Sequence, residues 1–389
     1  MIALSFLGRG KYEETVYSFN NQKVKTSYFP FAVSQFVKPD KLFVIMTGEA
    51  EKVHAAQLKK LCDYEPIRIP NGKSEKEFWV IFDKITEVIK EEEKIVFDIT
   101  HGFRSQPFIV IVLLLYLKAL KNIKIENILY GAFEAKDKNI TPVFELKQFM
   151  DLVEWTNAVQ EFIKNGNMKY LQVLLSEIHK NTYIKNMETK SNQLKNAGND
   201  LAKLTDAFAT IRLKEMFESA NKFTKRIDGI KKDLESIYQA KPFANLFNVI
   251  VEKIEPISDA EKELFSKKGF EAQKPILNWY IETSKYQKAI TLAREFVVSK
   301  FLLEIEKIDT EQLLSKDLRK DAENKLNEMA EMTKAEKELD EHPAKLADIW
   351  NELIDVRNDI NHASMRNKPL PAKSLIKQVK KIINNVCEL

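Results

Sequence analysis

Only five histidines and two cysteines occur in this chain of 389 residues. Cys62 and Cys387 stand far apart in sequence, with neither a Cys-x-x-Cys pair nor a His–Cys cluster, which argues against a zinc site. With 10 glycines and 12 prolines, breakers are scarce, so long helices are favoured over a turn-rich β protein. Long apolar runs are missing too. The most apolar stretch, Pro107 to Leu120, covers about 14 residues, too few to span a bilayer, and reads as a buried helix of an α/β core. The opening Met1-Ile2-Ala3-Leu4-Ser5-Phe6 lacks a basic lead and runs into Gly8-Arg9-Gly10, so it does not read as a signal peptide, and a cytoplasmic protein with no membrane partner is expected. Excess charge of one sign is also lacking. Lys+Arg 61 against Asp+Glu 57 gives a net +4, which permits an RNA partner without arguing for a DNA-coating protein.

What is present is core-forming material: 44% of the residues are hydrophobic, and the length suggests two or three domains. Over residues 1–150, strand and helix signals alternate. Apolar runs at Ile2–Leu7, Leu42–Met46, Lys94–Ile99 and Asn127–Phe133, with a shorter one at Ile67–Ile69, read as strands. Thr15–Phe19 and Lys23–Phe29 flank Asn20-Asn21 as a hairpin. Helical patterns follow Thr47-Gly48 and Ser74, and Pro107 fits the first turn of another helix. Strands separated by helices predict a parallel, Rossmann-like sheet. Beyond Asp151 the strand signals fade into Lys/Glu-rich helical pattern. A joint near 255–275, at Pro256 and Lys267-Lys268-Gly269, divides it into a helical connector, 151–272, and a C-terminal helical domain, 273–389.

Two places carry chemistry. The first is the edge where the parallel strands end, since open α/β sheets bind ligands in the crevice there. Gly8-Arg9-Gly10, Thr47-Gly48-Glu49 and Thr100-His101-Gly102-Phe103-Arg104 should converge on it. Glycines admit close backbone approach, Thr and Arg bond phosphate or ribose, and the helix from about Gln106 points free N–H groups at the same place. No Walker loop is present, and Gly8-Arg9-Gly10 lacks the third glycine of a dinucleotide fingerprint, which disfavours a nucleotide-dependent oxidoreductase. Tight βα turns would equally account for these glycines, and Asp98 reads as a loop-orienting carboxylate or a ligand contact.

The second is Arg357-Asn358-Asp359-Ile360-Asn361-His362. At about 100° per residue, Arg357, Asn358, Asn361 and His362 share one broad face of a helix whose apolar side is Leu353, Val356 and Ile360. An imidazole, which titrates at about 6.5 when unperturbed, can move the proton of a ribose 2′-hydroxyl. A guanidinium can steady the charge on phosphorus, and an amide can orient either. A single histidine per chain would be doubled across a two-fold dimer. The bland alternative is a solvated helix face. His54, His179 and His342 read as surface or satisfied core histidines, Trp79, Trp155, Trp279 and Trp350 as packing, and the basic run Lys222–Lys232 as a solvated face with some scope to guide RNA.

Taken together, Ser5-Phe6-Leu7-Gly8-Arg9-Gly10, Asp98-x-Thr100-His101-Gly102-x-Arg104 and Arg357-Asn358-x3-His362, in that order, resemble the CARF–HEPN accessory ribonucleases of type III CRISPR systems. The resemblance implies an N-terminal CARF sensor for cyclic oligoadenylate, a helical connector and a HEPN domain. No cofactor is implied beyond that activator. The implied partners are single-stranded RNA as substrate and a second copy of the chain. Gly8, Arg9, Gly10, Thr47, Gly48, Thr100, His101, Gly102 and Arg104 would hold the activator. Arg357, Asn358 and His362 would cleave RNA without metal, leaving 2′,3′-cyclic phosphate and 5′-hydroxyl ends. Ala293-Arg294-Glu295 on an earlier helix would support the site or form a surface ion pair, the latter being the simpler expectation. A ligand-responsive regulator that binds nucleic acid or protein without catalysis is the alternative.

Overall fold

A computed structural model describes residues 1–102, 106–184, 189–237, 240, 243–258, 260, 264–335, 339–365 and 367–389. The chain divides into two compact units, Met1–Val153 and Glu154–Leu389.

The first unit is built on β1 (Ile2–Leu7), β2 (Thr15–Phe19), β3 (Gln22–Thr26), β4 (Lys41–Thr47), β5 (Glu65–Ile69), β6 (Lys94–Asp98), β7 (Lys124–Gly131) and β8 (Ile140–Glu145). They form one sheet in the order β3-β2-β8-β7-β6-β1-β4-β5. Its centre, β7-β6-β1-β4-β5, is parallel as expected. The rest is mixed: β8 runs antiparallel to β7, and the hairpin β2–β3 joins through β8. The strand β8 escapes the sequence pattern because Pro142 cannot donate to a ladder. Pro142 lies just past the last β7–β8 pair, Gly131 with Val143, where the ladder with β7 stops.

Alternation along each central strand feeds two cores. Ile2, Leu4, Phe6, Ile45, Ile95 and Phe97 face one side, packed under α3 (Glu75–Val88) and α4 (Gln106–Lys121). Ala3, Leu7, Val44, Met46 and Val96 face the other, under α1 (Phe29–Val37) and α2 (Gly48–Leu61). Two expectations change here. Pro107–Leu120 is not buried all round, since α4 shows a second apolar stripe, with Phe108 at 71% and Leu120 at 57% exposed. Trp79 is not packing material either, being 67% exposed on the neighbouring α3.

Gly131 closes the C-terminal end of β7. A Cβ there would stand 2.9 Å from ring atoms of both Phe29 and Tyr17. We expect Gly131→Ala to destabilise the protein by about 1–3 kcal/mol through overpacking, measured by urea unfolding; an unchanged midpoint would show that the two rings yield freely.

The second unit is entirely helical among its described residues. It comprises most of α5 (Lys147–Asn165), then α6 (Lys169–Ile184), α7 (Leu194–Thr210), α8 (Leu213–Thr224), α9 (Ile227–Ser236), α10 (Phe243–Ser258), α11 (Lys267–Glu282), α12 (Tyr286–Glu304), α13 (Lys316–Lys334), α14 (Glu341–Asn361) and α15 (Ala372–Cys387). One apolar core runs from Trp155 to Val386, with Trp279 and Trp350 almost fully buried in it. The break between α10 and α11, where Ser266 caps the incoming helix, falls in the stretch where the sequence places a joint.

Candidate functional site

In the first unit β1 lies between β6 and β4, so the three glycine- and threonine-bearing loops sit side by side at the carboxyl edge. Strand order reverses between β1 and β6, which is where a ligand crevice opens in such sheets. The two loops meet there: a Cβ on Gly8 would come 3.2 Å from the His101 carbonyl and 3.3 Å from the Tyr12 hydroxyl. Gly102 is similarly crowded by Gln106, whereas Gly10 and Gly48 have room for a side chain. Close approach therefore explains Gly8 and Gly102, and not the other two.

The loop after β6 is held from below. Asp98 and Ser5 pair across β6 and β1, and the Ser5 hydroxyl donates to the Asp98 carboxylate. The second Asp98 oxygen accepts from the Thr100 N–H at 2.7 Å. The Thr100 hydroxyl accepts from the Gly131 N–H at 2.8 Å, tying the loop to the end of β7. Asp98 is fully buried, and desolvation pushes its pKa up to about 7 against the opposing pull of those hydrogen bonds. It is a loop-orienting carboxylate.

Above it stands an aromatic stack. The Tyr12 ring lies 4.0 Å from the His101 ring and 5.0 Å from the His54 ring, between centroids, while its hydroxyl donates to the Gly8 carbonyl at 2.9 Å. His54 is 5% exposed, with Nδ1 3.2 Å from the Tyr28 hydroxyl. The Nε2 atoms of both His54 and His101 are buried without a hydrogen-bond partner. Burial lowers both imidazoles, His101 to about 4 with help from His54, so both are neutral at physiological pH. Of the two alternatives expected for His54, surface or core, the structure gives the core one, with Nδ1 the bonded nitrogen. Its signal was available, because Ala50, His54 and Leu58 fall on the buried face of α2. Tyr12 lies in a polar loop that carries no periodic signal.

The remaining residues expected at this edge are placed as follows. Thr47 caps α2, its hydroxyl accepting from Ala50 N–H at 3.3 Å. Arg9 reaches out to Glu49 at 3.0 Å in an exposed pair that bridges the loops after β1 and β4. Arg104 lies outside the described residues.

In the second unit, Arg357 and Asn358 occupy the last turn of α14, both half-buried, and His362 follows the helix as its exposed C-cap. Arg357 leans toward Asn358 at 3.5 Å, and the His362 side chain makes no hydrogen bond among the described residues. The buried Asp359 accepts from the Leu370 N–H at 2.8 Å and so pins the segment that returns after His362. Asn361 accepts from Gln287 of α12 at 3.3 Å, which sets the first turn of α12 beside the end of α14. Arg294 and Glu295 form an ion pair, but not a surface one: Arg294 is 18% exposed, pairs with Glu323 at 2.5 Å, and lies over the Trp350 ring. Arg319 completes the network through Glu295 at 2.6 Å. These charges brace α12 against α13. Of the other histidines, His342 bonds Glu304 at 2.9 Å and His179 approaches Ser191 at 3.3 Å.

A protein of this description joins a mixed α/β unit, whose glycine- and threonine-bearing loops gather at the carboxyl edge of its sheet, to a unit that is helical among its described residues and ends one helix in an exposed polar patch. No known protein-family profile matches the chain. Over 111 residues, 28% of its length, it is 32% identical to the CRISPR-associated protein MJ1674 of Methanocaldococcus jannaschii. The matched stretch spans 18% of that relative. No helix among the described residues is long and apolar enough to cross a membrane.

Proposed function

We propose that this protein is a CRISPR-associated endoribonuclease that cleaves single-stranded RNA without metal and is switched on by cyclic oligoadenylate. The observation that carries the reading is the end of α14, where Arg357, Asn358 and His362, whose imidazole has no hydrogen-bond partner among the described residues, share the last turn at the solvent boundary. There His362 takes the proton of a ribose 2′-hydroxyl as that oxygen bonds phosphorus. The bond to the 5′-oxygen breaks, and Arg357 steadies the negative charge on the phosphate. Protonation of the leaving oxygen calls for a second group, which the same patch of a partner copy supplies across a two-fold axis. The similarity to a CRISPR-associated protein supports the biological setting, a cytoplasmic one. The exposed apolar stripe of α4 and Trp79 supports self-association.

On this reading the crevice of the first unit takes the activator. Gly8 and Gly102 let the loops beneath it pack closely, and Thr100 and Thr47 offer hydroxyls. His101 offers a neutral imidazole, Arg9, Gly10 and Gly48 complete the rim, and Arg104 is proposed as a further ligand contact from its place in the sequence. Residues 1–150 act as sensor, 151–272 as connector and 273–389 as nuclease. The activator must bind the active arrangement more tightly than the idle one. In EDTA, cyclic oligoadenylates of several ring sizes should start cleavage that yields 2′,3′-cyclic phosphate ends. Thr100→Ala should shift the half-activating concentration up by about tenfold, the worth of about 1.4 kcal/mol. Cleavage that ignores every such ligand, or that stops with chelator, overturns the reading. A non-catalytic, nucleic-acid-binding regulator is the second reading, favoured by the basic Lys222–Lys232 run; it requires binding without RNA products.

A further inference from the structure

A concavity of about 310 Å³ opens between the start of α7 and the α8–α9 turn, lined by Gln193, Lys222, Lys225, Arg226 and Gly229. Lys222 lies in the last turn of α8, Lys225 follows it, and Arg226 leads into α9. Arg226 is fixed in place: Nε donates to Asp200 at 2.9 Å and Nη1 to the Gln193 side chain at 2.9 Å. The nearby Asp233 is occupied elsewhere, accepting from Ser191 Oγ and from the N–H groups of Asn192 and Gln193. Gly229 keeps the floor open, since a Cβ there would come 2.7 Å from Gln193 Cγ. Lys222 and Lys225 are exposed, and among the described residues neither forms an ion pair. Residues 212–232 hold seven Lys/Arg against three Asp/Glu, an excess equal to the net +4 of the whole chain. The stretch around this pocket is therefore locally basic.

Two free ammonium groups beside an immobilised guanidinium are a phosphate-binding set. No aromatic ring lines the pocket, so it has no platform for reading a base. The helix α7 leads from Gln193 to Phe208, about 22 Å at 1.5 Å per residue. The Lys285 ammonium lies over the Phe208 ring, and Gln287, two residues further along the chain, bonds Asn361 beside His362. These contacts link α7 to the start of α12, and the start of α12 to the end of α14, within the same unit.

We infer that the Lys222/Lys225/Arg226 pocket binds the sugar–phosphate backbone of single-stranded RNA away from the cut, as an anchoring subsite. The inference rests on the nuclease reading for its choice of RNA. Its test is the affinity of a fluorescent single-stranded RNA for full-length His362→Ala protein across a salt series. Adding Lys222→Ala and Lys225→Ala should weaken binding about tenfold and flatten the log–log salt slope by about 1.4, two contacts at about 0.7 each. In the cleaving protein the same pair should raise KM rather than lower kcat, and Lys222→Arg with Lys225→Arg should restore it. Unchanged affinity and slope overturn the inference even if cleavage is confirmed. So does a loss confined to duplex DNA, which would assign the pocket to the regulator reading. RNA binding that depends on both lysines in a protein that never cuts RNA upholds the subsite and removes the nuclease reading alone.

Discussion

His362→Ala is expected to lower kcat for RNA cleavage by at least about 100-fold, the usual worth of a general acid or base. The activator should still bind, because the substituted residue belongs to the second unit and the proposed activator site to the first. Thermal stability should hardly move, since His362 is exposed and its side chain makes no hydrogen bond among the described residues. Arg357→Ala should be comparably slow, whereas Asn358→Ala should retain part of the rate because it orients and does not move protons. The measurement is single-turnover cleavage of a labelled RNA with saturating activator and EDTA. A His362→Ala enzyme that cuts at the native rate removes the histidine from the chemistry and, with it, the central claim of the proposed function.

Asp98→Asn is expected to make the protein more stable at pH 8 while changing little at pH 4. The direction follows from the buried carboxyl, whose folded pKa is raised to about 7 by desolvation. An unfolded aspartate titrates at about 3.9. Below that value both states hold the proton, and the contribution of the folded environment is fully present. As pH rises from about 4 toward 7 the unfolded chain releases its proton first, so stability is lost across that window. The loss amounts to a few kcal/mol at most, at about 1.4 kcal/mol per pKa unit. Asparagine keeps an oxygen for the Thr100 N–H and a polar group for Ser5 without carrying a charge. Urea midpoints of both proteins at pH 4, 6 and 8 give the test. Parallel pH dependence in wild type and Asp98→Asn would show that this carboxyl does not titrate in the window. A raised stability at pH 8 with weakened response to cyclic oligoadenylate would instead show that the ionised form serves the ligand.

Much of the architecture was legible because its signals are local. Apolar alternation along Ile2–Leu7, Leu42–Met46 and Lys94–Asp98 marks strands, and the intervening 3.6-residue pattern marks the helices that force them parallel. Once the strands are parallel, all their carboxyl ends share one edge, so the sequence pattern alone brings the three loops together. The elements that escaped each broke a local rule. Pro142 disguised β8. The helix α1 was missed although it begins at Phe29-Pro30, with proline in its first turn. The apolar length of α4 suggested burial on all sides, yet the sheet covers only one of its faces.

The amino-acid order alone determined the division into an α/β half and a helical half. It also determined which loops lie at the sheet edge and that Arg357, Asn358 and His362 gather at one helix end, because each depends on spacing within a few residues. Only the tertiary structure decided that Tyr12, His54 and His101 stack, that Asp98 loses its water beneath Thr100, and that Arg226 is locked by Asp200 beside two lysines that form no ion pair among the described residues. Those pairings join residues from separate elements. Their energies come from burial and from the identity of distant neighbours, which periodicity does not encode.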